Sequence, residues 1–318
     1  MRDDPELAAV VNERLVAWAG QVGIYPGKLE ELRQTDFGDF MMLCHPETDD
    51  PDRLVAAGKC ALAEWATDDH YCDDASMGSS SADLGARLGV AATVLDPLAM
   101  PSGYATRYER EVCDDPVLIA LQSGFEHLKH YTSWDQLGRL HGEILHLFQG
   151  YGHEASWRLT GRMPPVWEYL AGRENNSFRP CIALVDAVAG YELPSEVYAE
   201  PRVRRAFTLA GLAATIVNDL YSLTRASRIE GGDYSLPAAI AAEDGCPLDE
   251  AVRRTAAIHD ELVRTFETEA AALSASGPPP LTRFFGGVWA WLGGNREWHS
   301  RTARYHASND ASNKGASR

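Results

Sequence analysis

Residues 51–74 read PDRLVAAGKCALAEWATDDHYCDD, and the spacing of apolar residues in that stretch decides the fold class. Leu54, Gly58, Ala61, Leu62 and Trp65 recur at three- and four-residue steps, which predicts one buried face of a helix over 52–74. The same period carries Asp68, Asp69 and Cys72 onto that face, with Asp73 four residues after Asp69. Aspartates are therefore steered toward the interior, where an unpaired charge costs several kcal/mol or neutralises itself. A solvated acidic helix end is the plainer reading, but negative charge at a helix C-terminus opposes the macrodipole. Cations are expected to compensate it. Hard oxygen donors favour Mg²⁺ or Mn²⁺, and Mg²⁺ usually takes one or two carboxylates together with substrate phosphates.

The helical signal repeats along the chain. Prolines leave long free windows at 52–96, 117–163, 202–236, 248–277 and 281–318, each with apolar residues at helical spacing. Leu7, Val10, Val11, Leu15 and Trp18 form one expected stripe, and Leu137, Leu140, Ile144, Phe148, Tyr151 and Ala155 another. No hairpin signal separates alternating apolar runs, so an all-α protein is expected. The sharpest break, SASGPPP at 274–280, leaves too little chain for a second domain. One domain over 1–305 is expected, followed by a disordered tail over 306–318, whose residues are small and polar.

Composition narrows the partners. A net charge of −17 over 318 residues disfavours nucleic acid and anionic membranes. Cysteines 44, 60, 72, 113, 181 and 246 form no CxxC pair, which suits a reducing compartment. The acidic start predicts no signal peptide, and no run of about 20 apolar residues predicts a membrane span. A cytoplasmic protein is expected, and a homodimer is compatible with these features. The stretch HGEILH at 141–146 spaces its histidines wrongly for a HExxH zinc site, so His141 and His146 read as exposed helix residues.

A second polar patch stands at TIVNDLYSLTR, 215–225, where Gly211, Thr215, Asn218 and Ser222 share a helix face among small residues. Its amide and hydroxyl are oxygen ligands, although both also occur satisfied within ordinary helix packing. DDHYCDD followed 150 residues later by NDLYS resembles the two metal motifs of class I terpene cyclases of the bacterial type. Two further features fit that family: Arg173 in YLAGRENNSFRP, where it has a diphosphate-sensing arginine, and Arg304–Tyr305 in NREWHSRTARY, where it has an Arg-Tyr pair. The stretches GIYPGKLEELRQTDFGDFMMLCHPETDDPDRL and TGRMPPVWEYLAGRENNSFRPCIALVDAVAGYELP are similar to its 2-methylisoborneol synthase and 2-methylenebornane synthase branch.

The resemblance implies a helical bundle around a central apolar cavity, and a prenyl diphosphate substrate, here 2-methylgeranyl diphosphate. It implies three Mg²⁺ ions, with Asp68 bridging two of them, Asp73 a further ligand, and Asn218 and Ser222 on the third. Arg173, Arg304 and Tyr305 would bind the diphosphate, and Asp69 would pair with Arg304 on closure. The expected product is 2-methylisoborneol, or 2-methylenebornane if the last cation loses a proton instead. Phe148, Tyr151, Trp157, Phe178, Tyr221, Trp291 and Trp298 are core aromatics by default, and a cyclase would need some of them along its cavity. Pro180 is expected to break the helix that carries Arg173. One departure stands out: the family's motif glutamate would fall at Ala226, and Glu230 lies about 6 Å further along a continuous helix. Metal binding weakened but retained is expected. The alternatives are a sesquiterpene cyclase acting on farnesyl diphosphate and a non-catalytic helical binding protein.

Overall fold

A computed structural model describes residues 2–73, 80–96, 99–226 and 234–305, with the backbone alone for Asp73 and 224–226. The proposed tail over 306–318 and Glu230 lie outside the described residues. Helices and their connections make up everything described, and no strand occurs there, as the periodicity predicts. In chain order the helices are α1 (Pro5–Val22), α2 (Leu29–Thr35), α3 (Phe37–Cys44), α4 (Pro51–Asp68), α5 (Leu84–Leu95), α6 (Ser102–Asp114), α7 (Pro116–Leu128) and α8 (Trp134–Thr160). There follow α9 (Val166–Asn175), α10 (Arg179–Ile182), α11 (Val185–Val188), α12 (Ser195–Tyr198), α13 (Pro201–Ala226), α14 (Leu236–Asp244), α15 (Leu248–Ser276) and α16 (Pro279–Arg301).

Two inner helices set up the interior. α4 packs against α1, α3 and α7, and α13 against α15 and α16. The start of α4 is written locally: Asp50 accepts a hydrogen bond from the Asp52 amide, and Pro51 occupies the first turn. α8 begins with a reciprocal cap, in which the Ser133 hydroxyl takes the Gln136 amide and the Gln136 side chain takes the Ser133 amide. Its predicted stripe from Leu137 to Ala155 is buried throughout. In α1, Val11, Leu15 and Trp18 are buried, but Val10 is 51% exposed, because its neighbours at 7, 11, 15 and 18 already fill the inward face.

α13 is apolar and long enough over Pro201–Leu223 to cross a membrane by length and composition, but here it is a packed interior helix. All six cysteines are free thiols.

The helix predicted over 52–74 is not uniform. α4 ends at Asp68 and passes into a π-helical turn, Asp69–Asp73, which shifts the phase of the side chains that follow. A second interruption follows α9. The chain leaves the helix at Asn176 and re-enters it at Arg179, so Pro180 sits in the first turn of α10 instead of making the break. Gly150 of α8 permits the close approach: a Cβ there would stand 2.3 Å from the Asn176 nitrogen.

Candidate active site

A cavity of about 90 Å³ opens between α4 and α13. α4 contributes Glu64, Trp65 and Asp68, α8 contributes Leu147 and Tyr151, and α9 contributes Arg173. The interruption after α9 adds Asn176, Ser177 and Phe178, and α13 adds Thr215 and Asn218. One wall therefore carries Asp68, and the facing side carries Arg173 and Asn218 over aromatic rings.

The α13 side is tightly wired. Arg173 donates to Asp219 Oδ1 from Nη2 at 2.7 Å and Nε at 3.1 Å, to Asn218 Oδ1 at 3.3 Å and to the Asn176 carbonyl at 3.2 Å. Asp219 is 1% exposed and also accepts from the Tyr169 hydroxyl at 2.7 Å and the Leu236 amide at 3.2 Å. Burial works against the Arg173 charge, but Asp219 outweighs it and keeps the guanidinium firmly protonated. The sequence reading passed over Asp219, although it stands beside Asn218. Adjacent helix residues point about 100° apart, and only the position of α9 shows what lies on that second face.

Asn218 joins this network to the chain's last described residues. Its Nδ2 donates to the Tyr305 hydroxyl at 2.7 Å and faces His299 Nε2 at 3.3 Å. His299 Nδ1 stands 2.8 Å from the Asn295 carbonyl, which assigns the proton to Nδ1 and leaves Nε2 to accept. Burial, with a contribution from Arg304, lowers the His299 pKa to about 4, so the ring is neutral near pH 7, stacked on Tyr305 with centroids 5.0 Å apart. Ser222 Oγ donates to the Asp219 carbonyl at 3.2 Å, within its own helix. The Arg179 side chain packs directly on Gly211, where a Cβ would meet it at 2.5 Å.

The α4 side is closed by residues distant in sequence. Asp69 is 6% exposed, accepts from Tyr25 Oη at 2.9 Å and pairs with Arg304 Nη2 at 3.4 Å. It is thus turned to Tyr25 and Arg304, whereas its neighbour Asp68, about 100° away around the helix, lines the cavity. A cationic side chain also reaches the backbone at this helix end. Arg158 of α8 donates to the Cys72 carbonyl at 2.6 Å and pairs with Glu154, also at 2.6 Å. The side chain of Asp73 lies outside the description, as does that of Ala226 at the end of α13.

Of the aromatics singled out from sequence, Tyr151 and Phe178 line the cavity; Phe148, Trp157, Tyr221, Trp291 and Trp298 do not. Trp157 stacks on Tyr169 in a separate apolar cluster and donates to Glu168 at 2.9 Å. Trp291 is fully buried behind Phe178, with ring centroids 5.5 Å apart. Trp298 donates to the Thr35 carbonyl at 3.1 Å and stacks on Phe40. Phe148 packs in the core beside Tyr151, and half-buried Tyr221 lies against His299. Aromaticity alone does not say which face a ring occupies. Trp65, read only as a core position, lines the cavity. Glu143 of HGEILH is buried and paired with Arg179 and Arg204, which makes it a structural charge.

The donors at the mouth suit a hard divalent cation. Asp68 and Asn218 present carboxylate and amide oxygens on one cavity, with the Ser222 hydroxyl one helical turn beyond Asn218. No three His, Cys, Asp or Glu side chains cluster for a metal among the described residues. A Mg²⁺ here would therefore draw on phosphate oxygens as well, which is its usual habit.

Comparison with known proteins agrees with this geometry. The profile of terpene synthase family 2, C-terminal metal binding, matches residues 59–265. A 2-methylisoborneol synthase of Saccharopolyspora erythraea is 40% identical over 306 residues, covering 95% of this chain and 86% of the relative. One from Streptomyces griseus is 40% identical over 308 residues, 95% of this chain and 70% of the relative. The crystal structure of 2-methylisoborneol synthase from Streptomyces coelicolor A3(2), in complex with Mg²⁺ and 2-fluoroneryl diphosphate, superposes with a TM-score of 0.91 at 36% identity. That match covers 95% of this chain and 93% of the other.

Proposed function

The chain belongs to the class I terpene synthases, lyases that expel diphosphate, and from that premise we propose that it cyclises 2-methylgeranyl diphosphate to 2-methylisoborneol. The observation that carries this reading is one cavity lined at once by Asp68, Arg173 and Asn218 and by Trp65, Tyr151 and Phe178. Anion-binding groups at the mouth and apolar rings within are the two environments such a substrate needs. The substrate is taken from the relatives' names and from the two stretches that resemble their branch.

Asp68, Asn218 and Ser222, with Asp73, would hold Mg²⁺, which neutralises the charge that develops on the departing diphosphate. Three ions are the number proposed, and Mn²⁺ shares the same hard-oxygen preference. Arg173 binds diphosphate oxygens through a guanidinium that Asp219 already orients, so little reorganisation is needed when the substrate arrives. Arg304 donates from the α4 rim and Tyr305 from beside Asn218. The present Arg304–Asp69 contact of 3.4 Å is long enough to yield to a diphosphate. Trp65, Tyr151 and Phe178 face the carbocation, where each ring is worth about 0.5–2 kcal/mol. The tertiary allylic isomer then closes through a terpinyl-like to a bornyl-like cation, which captures water. Residues 1–305 act as the catalytic unit, and two oxygen donors, Asn218 and Ser222, suffice where Ala226 replaces a glutamate.

Incubating the purified chain with Mg²⁺ and a panel of prenyl diphosphates, with products read by mass spectrometry, tests the reading. The 2-methyl substrate should be turned over faster than geranyl diphosphate. Equal or faster turnover of farnesyl diphosphate would assign the chain to sesquiterpene cyclisation, and no diphosphate release from any substrate would make it a binding protein.

A further inference from the structure

Glu64 lines the reaction cavity and has no task in the steps above. It stands one helical turn before Asp68 in α4 and is 5% exposed. Its Oε2 accepts from Cys181 Sγ at 3.3 Å, and its backbone carbonyl accepts from Tyr151 Oη at 3.2 Å. Its Oε1 is buried and has no hydrogen-bond partner. Among the described residues, no other lining residue has a buried side-chain nitrogen or oxygen without a partner. The Thr215 hydroxyl donates to the Gly211 carbonyl and accepts from the Phe178 amide, and the Ser177 hydroxyl donates to the Glu174 carbonyl.

An unsatisfied buried oxygen costs about 1–3 kcal/mol. A carboxyl placed among Trp65, Leu147, Tyr151 and Phe178 therefore implies a partner that arrives with the working complex. Resting on the cyclase reading above, we infer that Glu64 Oε1 holds the water molecule that ends the reaction, and so favours alcohol over alkene. The water's oxygen lone pair forms the C–O bond to the tertiary bornyl-type cation. The surplus proton on that oxygen passes to the diphosphate expelled at the start. Where no water is held, a C–H bond beside the cation breaks, its electrons form the C=C bond, and that proton goes to the same diphosphate. Neither ending needs an oxidant or a reductant.

The state of Glu64 suits the first ending. Burial raises its pKa to about 8, with the Cys181 hydrogen bond pulling the other way, so near pH 7 it is mostly the neutral acid. A neutral carboxyl hydrogen-bonds water but is a poor acceptor for a carbon-bound proton. Glu64 thus acts through the water, as a positioning residue.

The test uses the full chain with Mg²⁺ and 2-methylgeranyl diphosphate, measuring diphosphate release and the alcohol-to-alkene ratio by gas chromatography–mass spectrometry. Glu64→Leu should lower that ratio about tenfold, the worth of one neutral hydrogen bond. Glu64→Gln, which keeps a carbonyl acceptor, should stay within about threefold of the wild type on the same scale. Because a ratio is read, a general loss of rate does not move it. Glu64→Met, close in length, replaces the leucine variant if circular dichroism shows that variant unfolded.

An unchanged ratio in the apolar variants, an equal fall in Glu64→Gln, or a wild type that makes only alkene would each overturn the inference. Failure of the substrate reading looks different: the wild type would release no diphosphate from 2-methylgeranyl diphosphate but would from another prenyl diphosphate. The ratio of hydroxylated to olefinic products from that substrate then decides the role of Glu64.

Discussion

On the α13 side of the cavity, Asp219 is buried with Arg173, Tyr169 and the Leu236 amide bonded to it, all from α9 and the start of α14. On the α4 side, Asp69 is met by Tyr25 from the connection after α1 and by Arg304 beyond the end of α16. Both walls bury an aspartate opposite an arginine, but one pair is held between packed helices and the other between the chain's extremities. The first arginine is held by a buried carboxylate between packed helices. The second is held where the residues after α16 reach Asp69, itself bonded to Tyr25. A site that expels an anion thus has one cationic post inside the helix packing and a second, on a longer contact, that we expect to yield first to substrate.

The largest test of this contrast removes Asp68, the cavity-lining acid proposed to hold the metal. Asp68→Ala should cut turnover roughly 10³-fold or more, about 4 kcal/mol of barrier, with the helical circular dichroism unchanged, and chelator should do the same to the wild type. Full turnover in excess chelator would leave the α4 carboxylate without a reason to face the cavity. Next comes Asp219→Asn, which keeps an oxygen acceptor but removes the charge that holds Arg173. Turnover should fall about 10²-fold, as when one preorganised donor is lost, and the melting temperature should drop by about 10 °C, because a buried guanidinium loses its counter-ion. If activity survives, Arg173 does not depend on the fixed wall. Smaller again is Tyr305→Phe, which cuts the 2.7 Å link from Asn218 to the segment after α16. About a tenfold loss of kcat/KM is expected, on the order of one hydrogen bond. Hydrogen exchange over 296–305 should slow with diphosphate plus Mg²⁺ in the wild type and slow less in the variant.

The parts of this site that were legible in sequence are those fixed by local period and spacing. An all-α chain follows from apolar residues every three or four positions, and Asp68, Arg173 and Asn218 from motifs at recognisable separations. What escaped depends on neighbours distant in sequence. Asp219 matters because α9 lies over it, and Arg158 because α8 ends beside the π-helical turn. Trp157 and Trp298 looked equivalent to Phe178 as aromatic residues, yet their indole nitrogens bond to Glu168 and to the Thr35 carbonyl away from the cavity. The π-helical turn itself left no mark, since DHYC has the composition of an ordinary acidic helix end. Glu64 was hidden in plain view, one more acid beside four aspartates.

That last acid offers an effect of opposite sign, a stabilisation on the α4 wall. Glu64 has an ordinary pKa near 4.5 in the unfolded chain and about 8 when folded. The folded state therefore binds one more proton than the unfolded state between those values. Stability associated with that proton is fully present below pH 4.5 and is lost as pH rises toward 8. Glu64→Gln carries no titrating group, and its amide oxygen can still accept from Cys181. The variant should match the wild type near pH 5 and gain on it by at most ~1.4 kcal/mol per pH unit up to pH 8. For a chain of this size that corresponds to about 2–4 °C in melting temperature for each kcal/mol. Taking the difference between the two proteins at each pH cancels the shared titration of His299 and every other group. A difference that stays flat from pH 5 to 8 would mean that Glu64 is ionised in the folded chain, and that its free oxygen already has a cation beside it.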